Sequence, residues 1–201
     1  MYCCFFDVDG VLLDFEGGFI KAVKDYFQLD VGNDFVSKSF WFSDLLTKDQ
    51  VMEGWDYFLY SSEFEELQPM VDPELFNAAF GAYPVHFITN IPLDCLERRE
   101  KNLRNAGFKF DSAHCAGFID YDGYSTQSKA EVILELHQKE KTVLFVDDHP
   151  DNCLNVRESF PEAEIWLMSR PFNYDFKHPE IRRARNWTEV IEHSSTLPLA
   201  K

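Results

Sequence analysis

The segment FFDVDGVLL, residues 5–13, places two aspartates, Asp7 and Asp9, between two apolar runs. Residues two apart in a strand point to the same side, so both carboxylates are predicted to face one site where a strand ends. Gly10 allows a sharp turn directly afterwards. Two carboxylates this close repel each other when both are charged. We therefore expect that they share a cation, that one of them keeps a proton, or that both conditions hold. Gly10 comes too early in the segment for a calcium-binding EF-hand loop.

Further apolar runs at wide spacing predict more strands. They cover residues 2–6, 85–89, 142–146 and 164–168, with a weaker candidate at 114–118. Continuous apolar runs of this length are typical of strands that are buried on both faces.

Helical patterns lie between these predicted strands. One runs from Pro92 to Gly107, a second from residue 125 or 128 to residue 140, and a third begins at Pro150. The buried positions predicted for the first two are Leu93, Leu96, Leu103, Ala106, Ala130, Ile133 and Leu134. Strands that alternate with helices predict an α/β fold with a doubly wound, Rossmann-like parallel sheet. Ligands of such sheets bind at the carboxyl ends of the strands.

A long insertion separates the first two predicted strands. Residues 14–82 far exceed the length that a crossover connection needs, and their apolar periodicity is helical. We therefore predict a core domain of residues 1–14 and 82–201, with a helical cap at residues 15–81. Many aromatic side chains in the insertion are expected to form its small core, while one or two face a ligand.

Composition limits the classes of function. The formal net charge of the 201 residues is -16, from 35 acidic and 19 basic side chains, which disfavours nucleic acid as a partner. Five cysteines without a CxxC pair do not form a disulfide framework, and no apolar stretch approaches membrane-spanning length. These features predict a reduced, cytoplasmic protein with no membrane partner; they give no indication of its oligomeric state.

Polar side chains also stand at the other predicted strand ends. Thr89 and Asn90 close the second strand, and Asp147 and Asp148 close the strand at 142–146, while Lys129 lies in the first turn of a predicted helix. Each has an ordinary explanation as a turn residue, a helix cap or a solvated lysine. Their shared position predicts that they meet Asp7 and Asp9 at one edge of the sheet.

This order of motifs resembles that of the haloacid dehalogenase-like (HAD) superfamily, and the helical insertion lies where many members carry a cap. The segments that carry the resemblance are DVDGV at residues 7–11, Thr89-Asn90, Lys129 and the aspartate pair 147–148. Taken together they are specific, whereas each alone is not. The resemblance covers the whole chain and implies phosphoryl transfer.

The resemblance implies a role for each matching residue. Asp7 would be the nucleophile that forms an aspartyl-phosphate, and Mg²⁺ would be held by Asp7, the main-chain carbonyl of Asp9 and Asp148. Asp9 would give a proton to the leaving oxygen and later take one from water. Substrate phosphate would be bound by Thr89, Asn90 and Lys129. Asp147 would orient Asp148 or a metal-bound water, although the residue types alone leave open which of the two touches the metal.

The predicted function is a Mg²⁺-dependent phosphatase acting on a small phosphorylated metabolite. Haloacid dehalogenases lack an aspartate two residues after the nucleophile, so Asp9 favours phosphate esters. Weaker similarity to the 5'(3')-deoxyribonucleotidase branch, in residues 7–19, 169–173 and 183–192, adds nucleoside monophosphates as one candidate substrate. The alternatives are a phosphomutase or phosphotransferase that uses the same phosphoaspartate, and a non-hydrolytic phosphoacceptor.

Overall fold

The computed structural model describes residues 2–32, 35–117, 127–137 and 141–197. In these ranges six parallel strands form one sheet in the order β3-β2-β1-β4-β5-β6. The strands are β1 (Tyr2–Phe6), β2 (Val85–Thr89), β3 (Ser112–Cys115), β4 (Thr142–Asp147), β5 (Glu164–Met168) and β6 (Arg182–Ala184). This sheet confirms the predicted α/β fold with its doubly wound, Rossmann-like architecture.

Helices cover both faces of the sheet. They are α1 (Phe15–Phe27), α2 (Lys48–Leu59), α3 (Ser62–Glu65), α4 (Pro73–Phe80), α5 (Leu96–Asn105), α6 (Lys129–Leu136), α7 (Pro150–Ser159) and α8 (Trp187–Ser194). Side chains alternate along β1: Cys4 and Phe6 pack with residues of α4, α5 and α8, whereas Cys3 and Phe5 pack with residues of α6 and α7. No helix in the described ranges is both long and apolar enough to cross a membrane.

Strand positions were predicted well except at the two edges of the sheet, where β6 (Arg182–Ala184) was not predicted and the bounds of β3 differ. The runs at 2–6, 85–89 and 164–168 are β1, β2 and β5, and β4 extends to Asp147. The boundaries predicted at 114–118 are wrong, because β3 begins at Ser112 and ends at Cys115; residue 118 lies outside the described residues. Ser112 Oγ lies 2.8 Å from His86 Nδ1 and 2.7 Å from His114 Nε2. Because these side chains are polar and half-buried, the segment is not an apolar run, and apolar runs were the basis for predicting strands.

Two helices bury faces that differ from the prediction. Leu93 is 74% exposed, because a 3-10 turn precedes α5 and changes the helical phase. The buried polar positions of α5 are instead Arg99 and Asn102. In α6, Leu134 is also exposed, while Val132 is buried.

The inserted helices α1, α2 and α3 pack around an aromatic cluster in which Phe19 contacts Phe42 and Phe58. The two segments that connect these helices to the rest of the chain are hydrogen-bonded to each other. The backbone N–H of residue 14 donates to the carbonyl of residue 68, and the N–H of residue 70 donates to the carbonyl of residue 12, both at 2.8 Å. Helix α4 lies beyond these connections and packs on the sheet, where Phe76 meets Phe6. The predicted cap boundary at residue 81 thus includes a helix that packs with the sheet. We call residues 15–69 the cap.

Candidate active site

The sheet topology brings the polar strand ends to one crevice. β1 lies between β2 and β4, so the order of the strands reverses at β1. Crevices at such switch points are the ligand sites of open α/β sheets. Asp7 follows β1 directly, Thr89 ends β2 and Asp147 ends β4, and all three side chains are buried.

Lys129 lies between two aspartates with its ammonium group buried. Its Nζ is 2.6 Å from Asp7 Oδ1 and 2.8 Å from Asp147 Oδ2. Ser128 and Glu131 form a capping box that fixes the start of α6, which places Lys129 in the first turn. Burial lowers the pKa of Lys129, but the charges of Asp147 and Asp7 outweigh it and hold the pKa above its ordinary value. Lys129 is therefore a fixed positive charge beside Asp7.

Asp147, the last residue of β4, and Asp148, the next residue, have different surroundings. Both oxygens of Asp147 are engaged: Oδ1 accepts from the backbone N–H of His149 at 2.7 Å, and Oδ2 accepts from Lys129 and from the side-chain amide of Asn152 at 3.1 Å. Asp148 instead borders the cavity above the strand ends. Of the two, Asp148 is the better placed to touch a ligand, and Asp147 to orient its neighbours.

The turn after β1 requires a glycine. Gly10 has φ +79°, and a Cβ at this position would lie 2.3 Å from Asp148 Oδ2. Arg170 also binds this turn, since its Nε donates to the Gly10 carbonyl at 2.8 Å and lies 3.8 Å from Asp148 Oδ2. The absence of a side chain at Gly10 thus allows the turn and Asp148 to approach each other.

Both oxygens of Asp9 are held by groups from other elements. Thr89 Oγ1 donates to Oδ2 at 3.0 Å, and Arg99 Nη2 lies 2.9 Å from Oδ1. Asn90, which was also predicted to bind phosphate, lines the cavity but donates its amide to the carbonyls of Gly117 at 3.1 Å and Ala116 at 3.4 Å. Thr89 and Asn90 therefore bind protein groups in this structure, and phosphate binding by either stays a prediction.

A cavity of about 120 Å³ lies between the cap and this edge of the sheet, and Thr89, Lys129 and Asp147 are not among the residues that line it. Asp7, Asp9 and Asp148 border it on the side of the sheet. The cap helices and the loop before α2 supply most of its aromatic wall, which consists of Phe15, Phe40, Trp41, Phe42, Trp55 and, from the segment after β5, Phe172. Phe40 of the cap contacts residues outside the cap: the centroid of its ring lies 4.6 Å from that of the His149 ring and 5.3 Å from that of the Phe172 ring.

The carboxylates at this edge carry more negative charge than the neighbouring cations balance. One oxygen each of Asp7, Asp147 and Asp148 lies within 4.8 Å of the others, and in the described residues these three carboxylates face two cations, Lys129 beside Asp7 and Asp147 and Arg170 at 3.8 Å from Asp148. Burial raises the pKa of Asp7, with Lys129 opposing it, and burial with the charge of Asp147 raises the pKa of Asp148 to about 7. Carboxylate oxygens are the ligands that Mg²⁺ prefers. The donor set and its excess charge therefore fit a divalent cation.

Magnesium is expected to raise the thermal unfolding temperature, and more so at pH 8 than at pH 6. A carboxylate with a raised folded-state pKa destabilises the fold as pH rises from its unfolded value, near 4, through about 7. A bound cation offsets this cost where the carboxylates are ionised, whereas protons compete with it at lower pH. Calorimetry with and without Mg²⁺ measures the shift. Asp148→Asn should remove it, whereas Glu158→Gln, an exposed change on α7, should not; an equal shift in both variants would contradict a cation at this site.

Three residues that hold the site together were not predicted from the sequence. Arg99 contacts Asp9, Arg170 contacts the Gly10 turn, and the Asn173 amide donates to the carbonyls of Asp148 at 2.7 Å and residue 168 at 2.8 Å. One signal was present for Arg99: it lies three residues after Leu96 and four before Leu103, on the face that was predicted to be buried. Arg170 and Asn173 lie in a segment that only the nucleotidase similarity singled out.

Several solved structures that match this fold are described as hydrolases of the HAD superfamily. One is a haloacid dehalogenase-like family hydrolase from Streptococcus pneumoniae, 19% identical, with a TM-score of 0.62 over 96% of this chain and 98% of that one. Another, described as a predicted phosphoglycolate phosphatase from Haemophilus somnus 129pt, is 14% identical, with a TM-score of 0.64 over 96% and 98%. A HAD hydrolase from Bacillus subtilis described as bound to magnesium is 13% identical, with a TM-score of 0.61 over the same shares.

These matches establish the fold. The chain has the fold of HAD-superfamily hydrolases along nearly its whole length, as the resemblance in the sequence implied. A defluorinating L-2-haloacid dehalogenase, 16% identical with a TM-score of 0.59 over 97% of this chain and 95% of that one, has the same fold, so the fold alone does not choose between phosphate and halide chemistry. No family model matches the sequence, and no curated protein matches it.

Proposed function

We propose that the protein is a Mg²⁺-dependent phosphatase that hydrolyses a small phosphomonoester through an aspartyl-phosphate on Asp7. The arrangement around Asp7 is the observation that carries this proposal. Asp7 borders a cavity beneath the cap, with the charge of Lys129 at 2.6 Å and the carboxylate of Asp148 beside it. These are the residue types and the positions that the HAD resemblance implied for phosphoryl transfer.

Asp7 would attack the phosphorus atom while the bond from phosphorus to the leaving oxygen breaks. Its Oδ1 accepts hydrogen bonds from the backbone N–H of Val8 at 2.7 Å and from Lys129, so Oδ2 is the oxygen proposed to attack. The charge of Lys129 lies where negative charge increases in the transition state and stabilises it there. Magnesium, held by Asp7, the main-chain carbonyl of Asp9 and Asp148, would offset charge on the phosphoryl oxygens.

Asp9 would move the proton in both steps. It borders the cavity next to Asp7, and Thr89 binds its Oδ2. In the first step a proton on Asp9 would pass to the leaving oxygen, and in the second the carboxylate would take a proton from the water that attacks the aspartyl-phosphate. A phosphoryl oxygen would compete for the hydroxyl of Thr89, which would free Asp9 Oδ2 for the transfer.

The cavity wall favours a flat, apolar leaving group. Six aromatic side chains face the space next to Asp7, and the wall also contains two carboxylates, those of Asp14, directly before the cap, and of Glu16 in its first helix. Such a wall binds aromatic rings well and repels a substrate that carries a second anion near the cap. Aryl phosphates and nucleoside monophosphates are therefore better candidates than phosphoglycolate.

Turnover of 4-nitrophenyl phosphate tests the proposed function. We expect steady release of phosphate with Mg²⁺, loss of release with EDTA, and recovery when Mg²⁺ is restored. Asp148→Asn should lower the rate at least about a hundredfold at fixed Mg²⁺, since the carboxylate that holds the cation is gone. Glu158→Gln is the matched control and should keep the rate. Release of one 4-nitrophenolate per chain, with the phosphoryl group retained on the protein, would indicate a phosphoacceptor, and activity only with a sugar bisphosphate would indicate a mutase.

A further inference from the structure

Arg99 is the largest fully buried side chain of the described residues, and it lies against Asp9. An arginine cannot lose its charge in a protein, so burying it is costly unless an anion and hydrogen-bond acceptors surround it. Nη2 lies 2.9 Å from Asp9 Oδ1, and Nη1 donates to the carbonyl of Phe64 at 2.8 Å and to Asn102 Oδ1 at 3.1 Å. The guanidinium also stacks on the Phe64 ring, 3.8 Å from its centroid. Arg99 thus has one fixed position.

Because of the position of Arg99, the two carboxylate oxygens of Asp9 have different partners. Oδ1 faces a permanent charge, whereas Oδ2 accepts from the hydroxyl of Thr89, which can rotate to another acceptor. When a phosphoryl group competes for Thr89, Oδ2 becomes available and Oδ1 stays with Arg99. One oxygen of Asp9 is therefore held in place while the other can exchange a proton.

Arg99 also connects Asp9 with the cap. Its acceptor, the carbonyl of Phe64, belongs to α3, and the neighbouring Arg98 binds the same part of the cap. Arg98 Nε lies 2.6 Å from Glu65 Oε1, while its Nη2 donates to the carbonyl of Ser61 at 2.9 Å and its Nη1 to that of Leu59. Both arginines hold α3 against α5, but of the two only Arg99 reaches Asp9 in the described part of the chain.

We propose that Arg99 is a positioning residue for proton transfer: it holds Oδ1 of Asp9 so that Oδ2 faces the leaving oxygen, and α3 of the cap keeps Arg99 in place. This inference rests on the proposed function, in which Asp9 moves the proton. If Arg99 has this role, its loss should slow hydrolysis most for substrates whose leaving group most needs a proton.

Leaving groups of different acidity separate this role from cap docking. Phenyl phosphate needs protonation more than 4-nitrophenyl phosphate, since phenolate is the poorer leaving group. Arg99→Met should lower kcat for phenyl phosphate about tenfold more than for 4-nitrophenyl phosphate, with KM little changed, and Arg99→Lys should restore part of the loss. Arg98→Met, which loosens the same helix without touching Asp9, should affect both substrates equally. Equal losses with both substrates in Arg99→Met would overturn the proposal.

Thermal unfolding of a double-mutant cycle provides a readout that does not need turnover. Arg99 is fully buried and Asp9 is half-buried, so Arg99→Met removes the partner of a largely desolvated carboxylate and should lower Tm by roughly 10 °C. In an Asp9→Asn background the same change should lower Tm by less than half as much. Additive shifts in soluble variants would overturn the pairing of Arg99 with Asp9. Non-additive Tm shifts in a protein that hydrolyses neither phenyl phosphate nor 4-nitrophenyl phosphate would support the pairing of Arg99 with Asp9. They would overturn the proposed function and, with it, the role of Arg99 in proton transfer. If Arg99→Met does not fold, Arg99→Lys takes its place in both tests.

Discussion

Asp7→Asn is expected to lower turnover of 4-nitrophenyl phosphate by at least about a thousandfold while the protein stays folded. An amide cannot displace the leaving group from phosphorus, so no aspartyl-phosphate can form. Asparagine has nearly the shape of aspartate, and its side-chain oxygen can still accept from the N–H of Val8, which donates to Oδ1 of Asp7 at 2.7 Å. Phosphate release measures the activity, and circular dichroism checks the fold.

Chemical trapping makes this prediction specific to Asp7. Acid-quenched wild-type protein, mixed with substrate and Mg²⁺, should carry one phosphoryl group that mass spectrometry locates on the peptide containing Asp7. Asp9→Asn serves as the matched control, because it alters the neighbouring carboxylate and leaves the nucleophile in place. It should slow release and still form the adduct with a good leaving group. A phosphoryl group on a different residue, or full activity of Asp7→Asn, would refute the assigned nucleophile.

Much of this site could be predicted because its residues directly follow apolar strands. Apolar runs mark where buried strands end, and a parallel sheet brings those ends to one edge. Asp7, Thr89 and Asp147 each stand at such an end, so their convergence needed no knowledge of contacts between distant segments. Lys129 follows the same logic at the start of a helix, where Ser128 and Glu131 provide a strong capping signal.

The contacts that hold Asp9 could not be predicted in the same way. Arg99 lies in the segment LERREKN, residues 96–102, whose charge density is typical of a solvated helix. Its burial depends on Asp9, ninety positions earlier, and on the Phe64 carbonyl of the cap. Neither partner is adjacent in sequence, and a pattern of polarity does not distinguish an arginine that faces solvent from one that faces a carboxylate.

The boundary of the cap illustrates a similar limit. Helix α4 has the same apolar character as the inserted helices, so composition grouped it with them. Pairing between the connections at residues 12–14 and 68–70 is what separates the cap from α4, and backbone hydrogen bonds between distant segments leave no composition signal. The division into a core and a cap stays a prediction, with its end nearer residue 69 than residue 81.

Lys129→Met is expected to have the largest effect on stability, about 3–5 kcal/mol in the free energy of unfolding at pH 8. Methionine fills nearly the same volume, so the loss comes from charge: Asp7 and Asp147, each within 2.8 Å of Nζ, would lose their shared partner in a buried site. Urea unfolding measures this loss. Lys101→Met, an exposed change on α5, is the matched control and should alter stability by no more than about 0.5 kcal/mol.

The pH dependence distinguishes a loss of charge from a loss of packing in Lys129→Met. Without the ammonium group, the folded-state pKa values of the buried carboxylates rise further above their unfolded-state values. The variant therefore loses most free energy of unfolding at high pH, where these carboxylates must ionise. As pH falls from 8 to 5, protonation removes that penalty, and the stability difference from the wild-type protein should shrink. Mg²⁺ at pH 8 should reduce the difference for the same reason, because a cation near Asp7 and Asp148 offsets the same excess of negative charge. A difference that stays constant with pH and Mg²⁺ would show that Lys129 contributes packing, and it would remove the electrostatic basis for placing a phosphoryl group beside Asp7.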